Sequence, residues 1–554
     1  MRLSNKIRML SHIIRNNLVE LFVYKRAISK LSNSTLFNPE YYLERYPDIK
    51  HSGMSAIEHY VKHGISEYRR PSSYAESLSD SEIISLLKKA GLPKILLNNY
   101  PSNNEALSDY REPKDYNGFV GDSSSLLHEL NTISSLDKNQ KQSLVQFLDD
   151  LFDYNDYVNM HKDLRDLSFD PKLHYFKWGY IEQRLPCSPD KIASKINAAV
   201  SECYQDNSSY LEYMQAKRDN IINKKFIVTY HSNGNFFFHE LAEYIYGGLI
   251  EAGYSAELCN ENEISENFIG HIIIVAPHEY FVFQDGKELY KKIKSISPQR
   301  TYYVTEQPQS KFGINQMQYL FDGSNVIDIN LTNAIFTREY GILSYFLPLG
   351  PLKSDLELKQ INFNQYLNGI FIDKNTRDYN VEHEKVLSQR PIDILYIANC
   401  VPRRASFLAK NANVFNKFNS FIFSPIWPFP HKADSITTLD KNNSLALCQR
   451  SKILLNIHRD EFNYFEWHRI VLRGFRSGNV VITEPSYPVP GFVNGTHYLE
   501  VPLDEIPDKI EYLLNTTEGT ELCNSISRNA RTAYKTTYSL SQSLDRYYKF
   551  CENI

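Results

Sequence analysis

Basic, acidic and histidine side chains collect in one stretch of the chain, residues 451–501, where they follow short apolar segments. Residues 453–455 and 480–482 predict two buried strands, and the residues between them predict a charged loop and then a helix over 467–476 that ends at Gly478. Strand, loop, helix and strand make one turn of a parallel α/β sheet, whose ligands bind at the carboxyl ends of the strands. The stretch therefore predicts a ligand site beside these charged residues.

Several arginines and lysines lie where they could hold a diphosphate. Such a group is bound by Arg or Lys side chains and by the backbone amides of a helix N-terminus. Two arginines lie where a predicted strand at 392–397 feeds a helix, and the others lie in the 451–501 stretch. Because most arginines and lysines are surface charges, that interpretation stays open for each of them. The basic candidates are Arg403, Arg404, Lys452, Arg459, Arg469 and Arg473.

Two glutamates and a histidine of the same stretch could bind the rest of a nucleotide-containing ligand. Glu484 follows the second predicted strand, where its carboxylate could accept hydrogen bonds from ribose hydroxyls, as in dinucleotide-binding folds. Glu466 and His468 flank the start of the predicted helix. For His468 the alternative is a structural role in helix packing.

A group transfer that inverts the reacting carbon needs a general base within hydrogen-bond reach of the attacking hydroxyl. Three candidates follow predicted strands of an earlier part of the chain: His231, His278 and Glu279. A lone histidine is more often structural than catalytic, so both interpretations stay open.

Composition limits the class of protein. The chain has 554 residues, 42% of them hydrophobic, and a formal net charge of −4. It is long enough for about three or four domains and has no global basic field that would recruit nucleic acid. The seven cysteines are scattered, and the acidic pairs at 149–150 and 163/166 follow no apolar strand, so we expect neither a disulfide framework nor a metal site. No apolar run is long enough to span a membrane and no secretory signal is recognised, which predicts a cytoplasmic protein.

The N-terminal region differs from the rest. Residues 1–30 hold seven basic residues against one acid, and their apolar residues share one helical stripe. Such a basic amphipathic helix can make a peripheral contact with an anionic membrane, at its inner face. The alternative, that the stripe packs on the next domain, is equally open.

An internal repeat follows within a predicted helical region at 31–220. Residues 37–73 align without a gap to residues 152–188, and the aligned positions share His, Tyr, Gly, Glu and Arg side chains. Each copy predicts two short helices, the second closing on a glycine. A catalytic role for the shared residues is the alternative, but repeated units are usually structural, and we favour a structural module.

Two α/β regions complete the predicted organisation. Residues 221–355 begin with strand, loop, helix and strand and predict a first Rossmann-like domain, without the GxGxxG fingerprint of a dinucleotide site. Residues 356–390 are polar and predict a linker. Residues 391–554 predict a second Rossmann-like domain.

The motifs of the second region resemble those of a known family. Residues 466–469 read Glu-Trp-His-Arg, residues 477–478 Ser-Gly, and residues 481–484 Val-Ile-Thr-Glu. This pattern is similar to that of GT-B glycosyltransferases, in particular bacterial surface-polysaccharide enzymes, some of which carry helical modules like the repeat. The resemblance implies two Rossmann-like domains facing a cleft and a C-terminal helix that crosses back to the first domain.

The resemblance also implies the reaction and its partners. Residues 391–554 would bind a nucleotide-sugar donor as co-substrate, with no other cofactor and no metal. Residues 221–355 would bind a glycan, lipid-linked or protein acceptor. The synthesis of bacterial surface polysaccharide or glycoconjugate is the process expected.

One departure from the family pattern leaves the stereochemistry open. Many retaining GT-B enzymes carry two glutamates eight residues apart before a small-residue-Gly turn, but Arg473 occupies the second position and Glu466 lies one residue from the first. Two alternatives therefore remain: a catalytically inactive glycan-binding or scaffold protein, and a GT-B-shaped nucleotide-sugar epimerase.

Overall fold

A computed structural model describes most of the chain. The described residues are 27–32, 34, 36–46, 55–65, 69–77, 80–90, 92, 123–130, 132, 136–161, 164, 170–203, 225–283, 286–297, 299–356, 360–363, 366–368, 370–381, 387–425, 438–462, 464–465 and 467–552. The basic helix predicted over residues 1–30 lies outside them up to residue 26, and residues 27–32 are helical. The candidate Glu466 also lies outside them.

The described chain forms two compact units. One comprises Met1–Val120 with Tyr154–Lys172, and the other comprises Gly121–Asp153 with Leu173–Ile554. Short helices precede the first sheet, and they are α1 (Pro39–Arg45), α2 (Ala56–His59), α3 (Asp80–Lys89), α4 (Ser123–Glu129), α5 (Lys138–Leu151), α6 (Tyr154–Met160), α7 (Pro171–His174) and α8 (Pro189–Cys203).

The two aligned segments have the same local structure at equivalent positions. A π-helical turn continues α2 over Tyr60–Gly64 and α7 over Tyr175–Gly179. In the first segment, a Cβ on Gly64 would lie 2.2 Å from the Tyr42 hydroxyl, so only glycine fits against that ring. Duplication of the whole module remains a prediction from the sequence.

The first Rossmann-like lobe is a parallel sheet in the order β2-β1-β3-β4-β5-β6. Its central strands are buried along their whole length, which is typical of a parallel sheet covered by helices on both faces. The strands are β1 (Lys225–Tyr230), β2 (Ser255–Asn260), β3 (His271–Val275), β4 (Arg300–Val304), β5 (Asn325–Asp328) and β6 (Ser344–Phe346). The helices are α9 (Phe236–Glu251), α10 (Pro277–Tyr280), α11 (Gly286–Ile296), α12 (Lys311–Leu320) and α13 (Leu331–Arg338).

A short connection leads to the second lobe. It contains an antiparallel pair, β7 (Tyr366–Leu367) and β8 (Ile370–Phe371), and the helix α14 (Lys374–Arg377). Arg450, fully buried, donates hydrogen bonds to the carbonyl oxygens of Thr376 (2.7 Å) and Ile361 (2.8 Å) and so ties the connection to the second lobe.

The second lobe is a parallel sheet in the order β10-β9-β11-β12-β13. Its apolar core is built from strands and the helices that cover them. The strands are β9 (Ile392–Ile397), β10 (Ser420–Phe423), β11 (Ser451–Asn456), β12 (Val480–Thr483) and β13 (Leu499–Glu500). The helices are α15 (Pro402–Lys410), α16 (Ala412–Lys417), α17 (Lys441–Arg450), α18 (Arg469–Ser477), α19 (Ile506–Asn515) and α20 (Thr517–Thr536).

The last helix, α21 (Leu540–Glu552), returns to the first lobe. A Cβ on Gly248 of α9 would lie 2.9 Å from both Leu540 and Leu544, so the two helices pack closely. The ring of Tyr548 lies 4.8 Å from that of Phe226 on β1.

The two lobes lie in one unit and face a shared cleft. The predicted fold class, two Rossmann-like domains of the GT-B type facing a cleft, is confirmed by this topology. Among the described residues, no helix is both long and apolar enough to cross a membrane.

Candidate functional site

A cavity of about 890 Å³ lies between the two lobes. Its volume is within the usual range for small-molecule sites. Six basic side chains and four acidic ones line it, which leaves an excess of positive charge. The basic residues are Arg404, Lys441, Arg459, Arg469, Arg473 and Arg476, and the acidic residues are Glu240, Glu279, Glu306 and Asp355.

Three arginines of α18 make ion pairs across the cavity. The carboxylate of Glu240, on α9 of the first lobe, accepts hydrogen bonds from Arg469 (2.9 Å) and Arg473 (3.0 Å). Arg476 pairs with Asp355 at 2.6 Å. Burial lowers the pKa of Arg469 to about 10, so the side chain keeps its charge at neutral pH. The sequence spacing of α18 thus presents one cationic face to the first lobe.

Local interactions fix the position of α18. His468 precedes the helix in an extended conformation and its side chain accepts a hydrogen bond from the backbone N–H of Ile470 (3.3 Å). This cap explains why the helix begins at Arg469, two residues later than predicted. Gly478 ends it in the left-handed conformation, with φ of 69°. His468 therefore has a structural task, and it also lines the cavity.

Arg404 lies in the first turn of α15, where it lines the cavity. Its Nε donates to the carbonyl oxygen of Ile457 (2.9 Å), and its Nη1 donates to the side chain of Asn399. These bonds hold the guanidinium at the carboxyl ends of β9 and β11. The residue before α15, Val401, supplies no side-chain cap. Because Pro402 has no N–H, the backbone amides of Arg403 and Arg404 are the donors that this first turn could offer to an anion.

Arg459 lies in the loop after β11 and lines the same cavity. It also lines a neighbouring pocket of about 540 Å³ together with Arg403. Two predicted basic candidates therefore line one pocket.

Arg403 and Glu484 bind each other rather than facing the cavity. The Nη1 of Arg403 donates to Oε1 of Glu484 at 2.8 Å, and Nη2 donates to Oε2, which is a bidentate pair. The backbone N–H of His458 donates to the same carboxylate (2.7 Å). The carboxylate predicted to receive ribose hydroxyls is thus occupied within the second lobe, and it orients Arg403 and the loop after β11.

Lys452 also lies away from the cavity. Its ammonium pairs with Asp393 at 2.6 Å. Both residues lie near the amino ends of their strands, β11 and β9, opposite the edge at which ligands of such sheets bind. The structure therefore does not bring Lys452 to the other basic candidates.

Two groups of the first lobe meet at the cavity wall, His278 and Glu306. The Nε2 of His278 lies 3.7 Å from Oε1 of Glu306. His278 is 7% exposed, and its Nδ1 has no hydrogen-bond partner among the described residues. Burial lowers the pKa of His278 to about 3, which keeps the imidazole neutral. Burial raises the pKa of Glu306, and the positive charge of Arg459 opposes that increase.

Glu279 lines the cavity, but its carboxylate is also used for local structure. It accepts hydrogen bonds from the backbone N–H of Asn235 (2.6 Å) and from the Asn235 side chain. A Cβ on Gly234 would lie 2.3 Å from Glu279 Oε1, so a larger residue there would displace this carboxylate. The turn that carries Glu279 begins at Ala276 in the left-handed conformation, with φ of 54°. Such strain in a non-glycine residue is common at functional sites.

The third base candidate, His231, is buried and is not part of the cavity lining. It is 6% exposed, its Nδ1 lies 3.8 Å from Glu261, and its ring packs at 4.1 Å on that of Phe283. It does not line the cavity. The structure thus brings His278 and Glu279, but not His231, to the site.

Six polar or charged residues discussed for the cavity were not among the predicted candidates: Gln183, Glu240, Glu306, Asp355, Lys441 and Arg476. Glu306 follows β4 and could have been found by the strand-end argument applied to Glu279. Glu240 and Gln183 carry no such signal, because one lies in the second turn of a helix and the other in the predicted repeat. Among the described residues, no group of three or more His, Cys, Asp or Glu could hold a metal ion.

Comparisons with known proteins give matches only to solved structures. No family model and no curated protein matches the chain. The glycosyltransferase from Rickettsia africae ESF-5 is 11% identical over 60% of this chain and 99% of its own, with a TM-score of 0.37. Anabaena Alr3699/HepE, solved in complex with UDP-glucose, is 8% identical over 60% of this chain and 100% of its own, with a TM-score of 0.36.

A third match is of the same kind. WaaG, a glycosyltransferase involved in lipopolysaccharide biosynthesis, is 12% identical over 58% of this chain and 99% of its own, with a TM-score of 0.35. The GT-B architecture of this chain rests on its own two sheets and their shared cleft. In that fold the chain is similar to these glycosyltransferases.

Proposed function

We propose that this protein is a glycosyltransferase that moves a sugar from a nucleotide-sugar donor to a hydroxyl group of an acceptor. The observation that carries the proposal is the inter-lobe cavity, in which arginines of the second lobe face His278 and Glu306 of the first. One wall thus offers positive charge to a leaving diphosphate, and the other offers a base to an attacking hydroxyl.

The second lobe would bind the donor diphosphate. Arg404, Arg459 and Arg469 line one cavity, and the uncapped first turn of α15 lies beside Arg404. When the glycosidic bond breaks, negative charge grows on the diphosphate, and arginines already in place stabilise it. Arg473 lies one helical turn beyond Arg469 and supports the same task. Arg403 would act indirectly, through its pair with Glu484.

Glu306 is the base that the geometry supports best. In the proposed step the acceptor oxygen forms a bond to the anomeric carbon, its proton passes to the Glu306 carboxylate, and the bond to the diphosphate breaks. The raised pKa of Glu306 makes it a better proton acceptor than an ordinary carboxylate. His278, whose pKa is lowered to about 3, stays neutral beside it and acts as a positioning residue.

The acceptor class follows from the lining and from the sequence resemblance. Phe237, Phe238 and Phe312 line the cavity, and aromatic side chains suit contact with the apolar face of a sugar ring. We infer an acceptor that is a glycan, free or carried by a lipid or a protein. The setting we propose is bacterial surface polysaccharide or glycoconjugate synthesis at the cytoplasmic side of the membrane.

The test is transfer itself. The full chain is incubated with a panel of sugar nucleotides and a mixture of oligosaccharide acceptors, and released nucleoside diphosphate is measured. We expect release with at least one donor, and a loss of roughly a hundredfold or more in Glu306→Gln if this group is the general base. Glu266→Gln, at an exposed loop position, is the matched control and should retain the wild-type rate.

Other outcomes separate the alternatives. Binding of a nucleoside diphosphate without release from any donor would indicate the inactive scaffold. Conversion of the donor sugar with no acceptor present would indicate an epimerase. Equal losses in Glu306→Gln and in Glu266→Gln would contradict the assignment of the base.

A further inference from the structure

One residue of the second aligned segment, Gln183, reaches the inter-lobe cavity. It follows the π-helical turn Tyr175–Gly179 and lines the cavity together with residues of both lobes. Its backbone has φ of 59°, in the left-handed region that non-glycine residues rarely adopt. A conformation of this kind persists only where the surroundings impose it, and it is frequent at binding sites.

Short-range bonds impose this turn. The backbone N–H of Gln183 donates to the carbonyl oxygen of Tyr180 (3.1 Å), and that of Arg184 donates to Gly179 (2.8 Å). The Nε of Arg184 donates to the carboxylate of Glu182 at 2.6 Å. Gln183 therefore lies at the tip of a hydrogen-bonded turn, where it lines the cavity.

The Tyr180 hydroxyl group connects the turn to the first lobe. Tyr180 is fully buried. Its hydroxyl donates to the carbonyl oxygen of Asn315 (3.1 Å) and accepts from the backbone N–H of Gln318 (3.0 Å). Both partners belong to α12, the helix that also contributes Phe312 to the cavity wall. The segment is thus fixed to the lobe that we propose for the acceptor.

The two aligned segments differ at the positions that make this contact. Tyr180 aligns with Ile65, which has no hydroxyl group, and Gln183 aligns with Tyr68. The residues that build the turn in the second segment, Gly179, Glu182 and Arg184, align with identical residues of the first: Gly64, Glu67 and Arg69. The second segment has therefore kept the residues of the module and changed those that face the first lobe.

We propose that the second segment completes the acceptor side of the cleft, and that Gln183 determines specificity by binding a hydroxyl group of a saccharide acceptor. This rests on the proposed glycosyltransferase function. The side-chain amide offers one acceptor oxygen and two N–H donors, which suit a sugar hydroxyl that both donates and accepts. Such a contact discriminates between sugars because an analogue without the hydroxyl leaves the amide unpaired.

Two substitutions distinguish the effect of the Gln183 side-chain amide from the effect of its backbone conformation. Gln183→Ala removes the amide and keeps the unfavourable φ, whereas Gln183→Gly removes the amide and relieves the strain. We expect both variants to lose roughly fivefold in glycan affinity, as for one neutral hydrogen bond, although the glycine variant should be the more stable to urea. Gln146→Ala, an exposed glutamine of α5, is the matched control.

The assay is an array of oligosaccharides probed with the labelled full chain, with and without a saturating nucleoside diphosphate. The proposal predicts that wild type binds at least one glycan and that both Gln183 variants bind it more weakly, with unchanged affinity for the nucleotide. It is overturned if wild type binds no glycan, if both variants bind like wild type, or if the glycine variant alone recovers wild-type affinity. A chain that binds no nucleoside diphosphate refutes the proposed function instead, and the two failures are therefore distinguishable.

Discussion

Substitution of Glu240 by glutamine tests the electrostatics of the cleft most sensitively. Glu240 accepts hydrogen bonds from Arg469 (2.9 Å) and Arg473 (3.0 Å), two of the groups proposed to bind the diphosphate. Its carboxylate occupies the place of an anion between them. A donor phosphate that binds these arginines must therefore approach a negative charge, and Glu240→Gln should increase the affinity for nucleoside diphosphates.

The magnitude follows from the geometry. A carboxylate and a phosphate charge about 6 Å apart repel each other by about 3 kcal/mol at an effective dielectric constant of about 20. The side chains of Glu240, Arg469 and Arg473 are 14%, 29% and 11% exposed, so solvent screens part of this energy. We expect a net gain of about 1–2 kcal/mol in binding, or about five- to thirtyfold in the dissociation constant.

The same substitution should destabilise the empty protein. Without Glu240 the two guanidinium groups lose their shared counter-charge, which costs about 1 kcal/mol for a partly exposed network. Opposite signs in ligand affinity and in stability are a result that simple damage to the fold does not give.

The assay is calorimetric titration of nucleoside diphosphates, together with urea denaturation in the absence of ligand. Glu243→Gln, an exposed residue of the same helix, controls for the change in charge. If Glu240→Gln bound nucleoside diphosphates more weakly than wild type, Glu240 would be a ligand contact and the competition described here would be wrong.

Three further predictions concern the pH dependence and the packing. Because burial raises the pKa of Glu306, the transfer rate should rise with pH through a limb above 4.5, and Arg459→Ala should move that limb to higher pH, as measured by a pH–rate profile. The pKa of His278 is lowered to about 3 from 6.5 in the unfolded chain. The contribution of the neutral imidazole to the free energy of unfolding is therefore complete above pH 6.5 and is lost as the pH falls toward 3. When the pH falls from 7 to 5, the free energy of unfolding measured with urea should therefore fall by about 2 kcal/mol less in His278→Gln than in wild type. Gly474→Ala should cost about 1–3 kcal/mol in urea denaturation, because its Cβ would lie 2.6 Å from Leu454.

Several of the predicted candidates that line the cavity follow strand ends. Arg404, Arg459 and His278 come shortly after buried strands, and the carboxyl ends of parallel strands meet at one edge of a sheet. The same rule explains why Lys452 does not line the cavity, because it lies near the start of β11. Position along a strand accounts for where these four side chains lie, but the prediction that grouped Lys452 with the diphosphate-binding residues did not apply this rule.

Contacts between residues that are distant in sequence could not be predicted in this way. Arg403 and Glu484 are 81 positions apart, and Glu240 is 229 positions from Arg469. Whether such residues contact a ligand or each other depends on how the loops and lobes pack. That packing produces no periodic pattern in the local sequence. For that reason the ribose contact expected of Glu484 had no visible competitor in the sequence.

The most direct measurement of the central claim is calorimetric titration of UDP, GDP and other nucleoside diphosphates into the full chain, its Arg404→Ala and Arg469→Ala variants and an Arg528→Ala control. Arg528 is an exposed arginine of α20, away from the cavity. We predict that wild type and control bind one nucleoside diphosphate equally and that each cavity variant binds it roughly tenfold or more weakly, as for the loss of one charge-assisted hydrogen bond. Undiminished binding by both cavity variants, or no binding by wild type, would contradict a diphosphate site between the lobes.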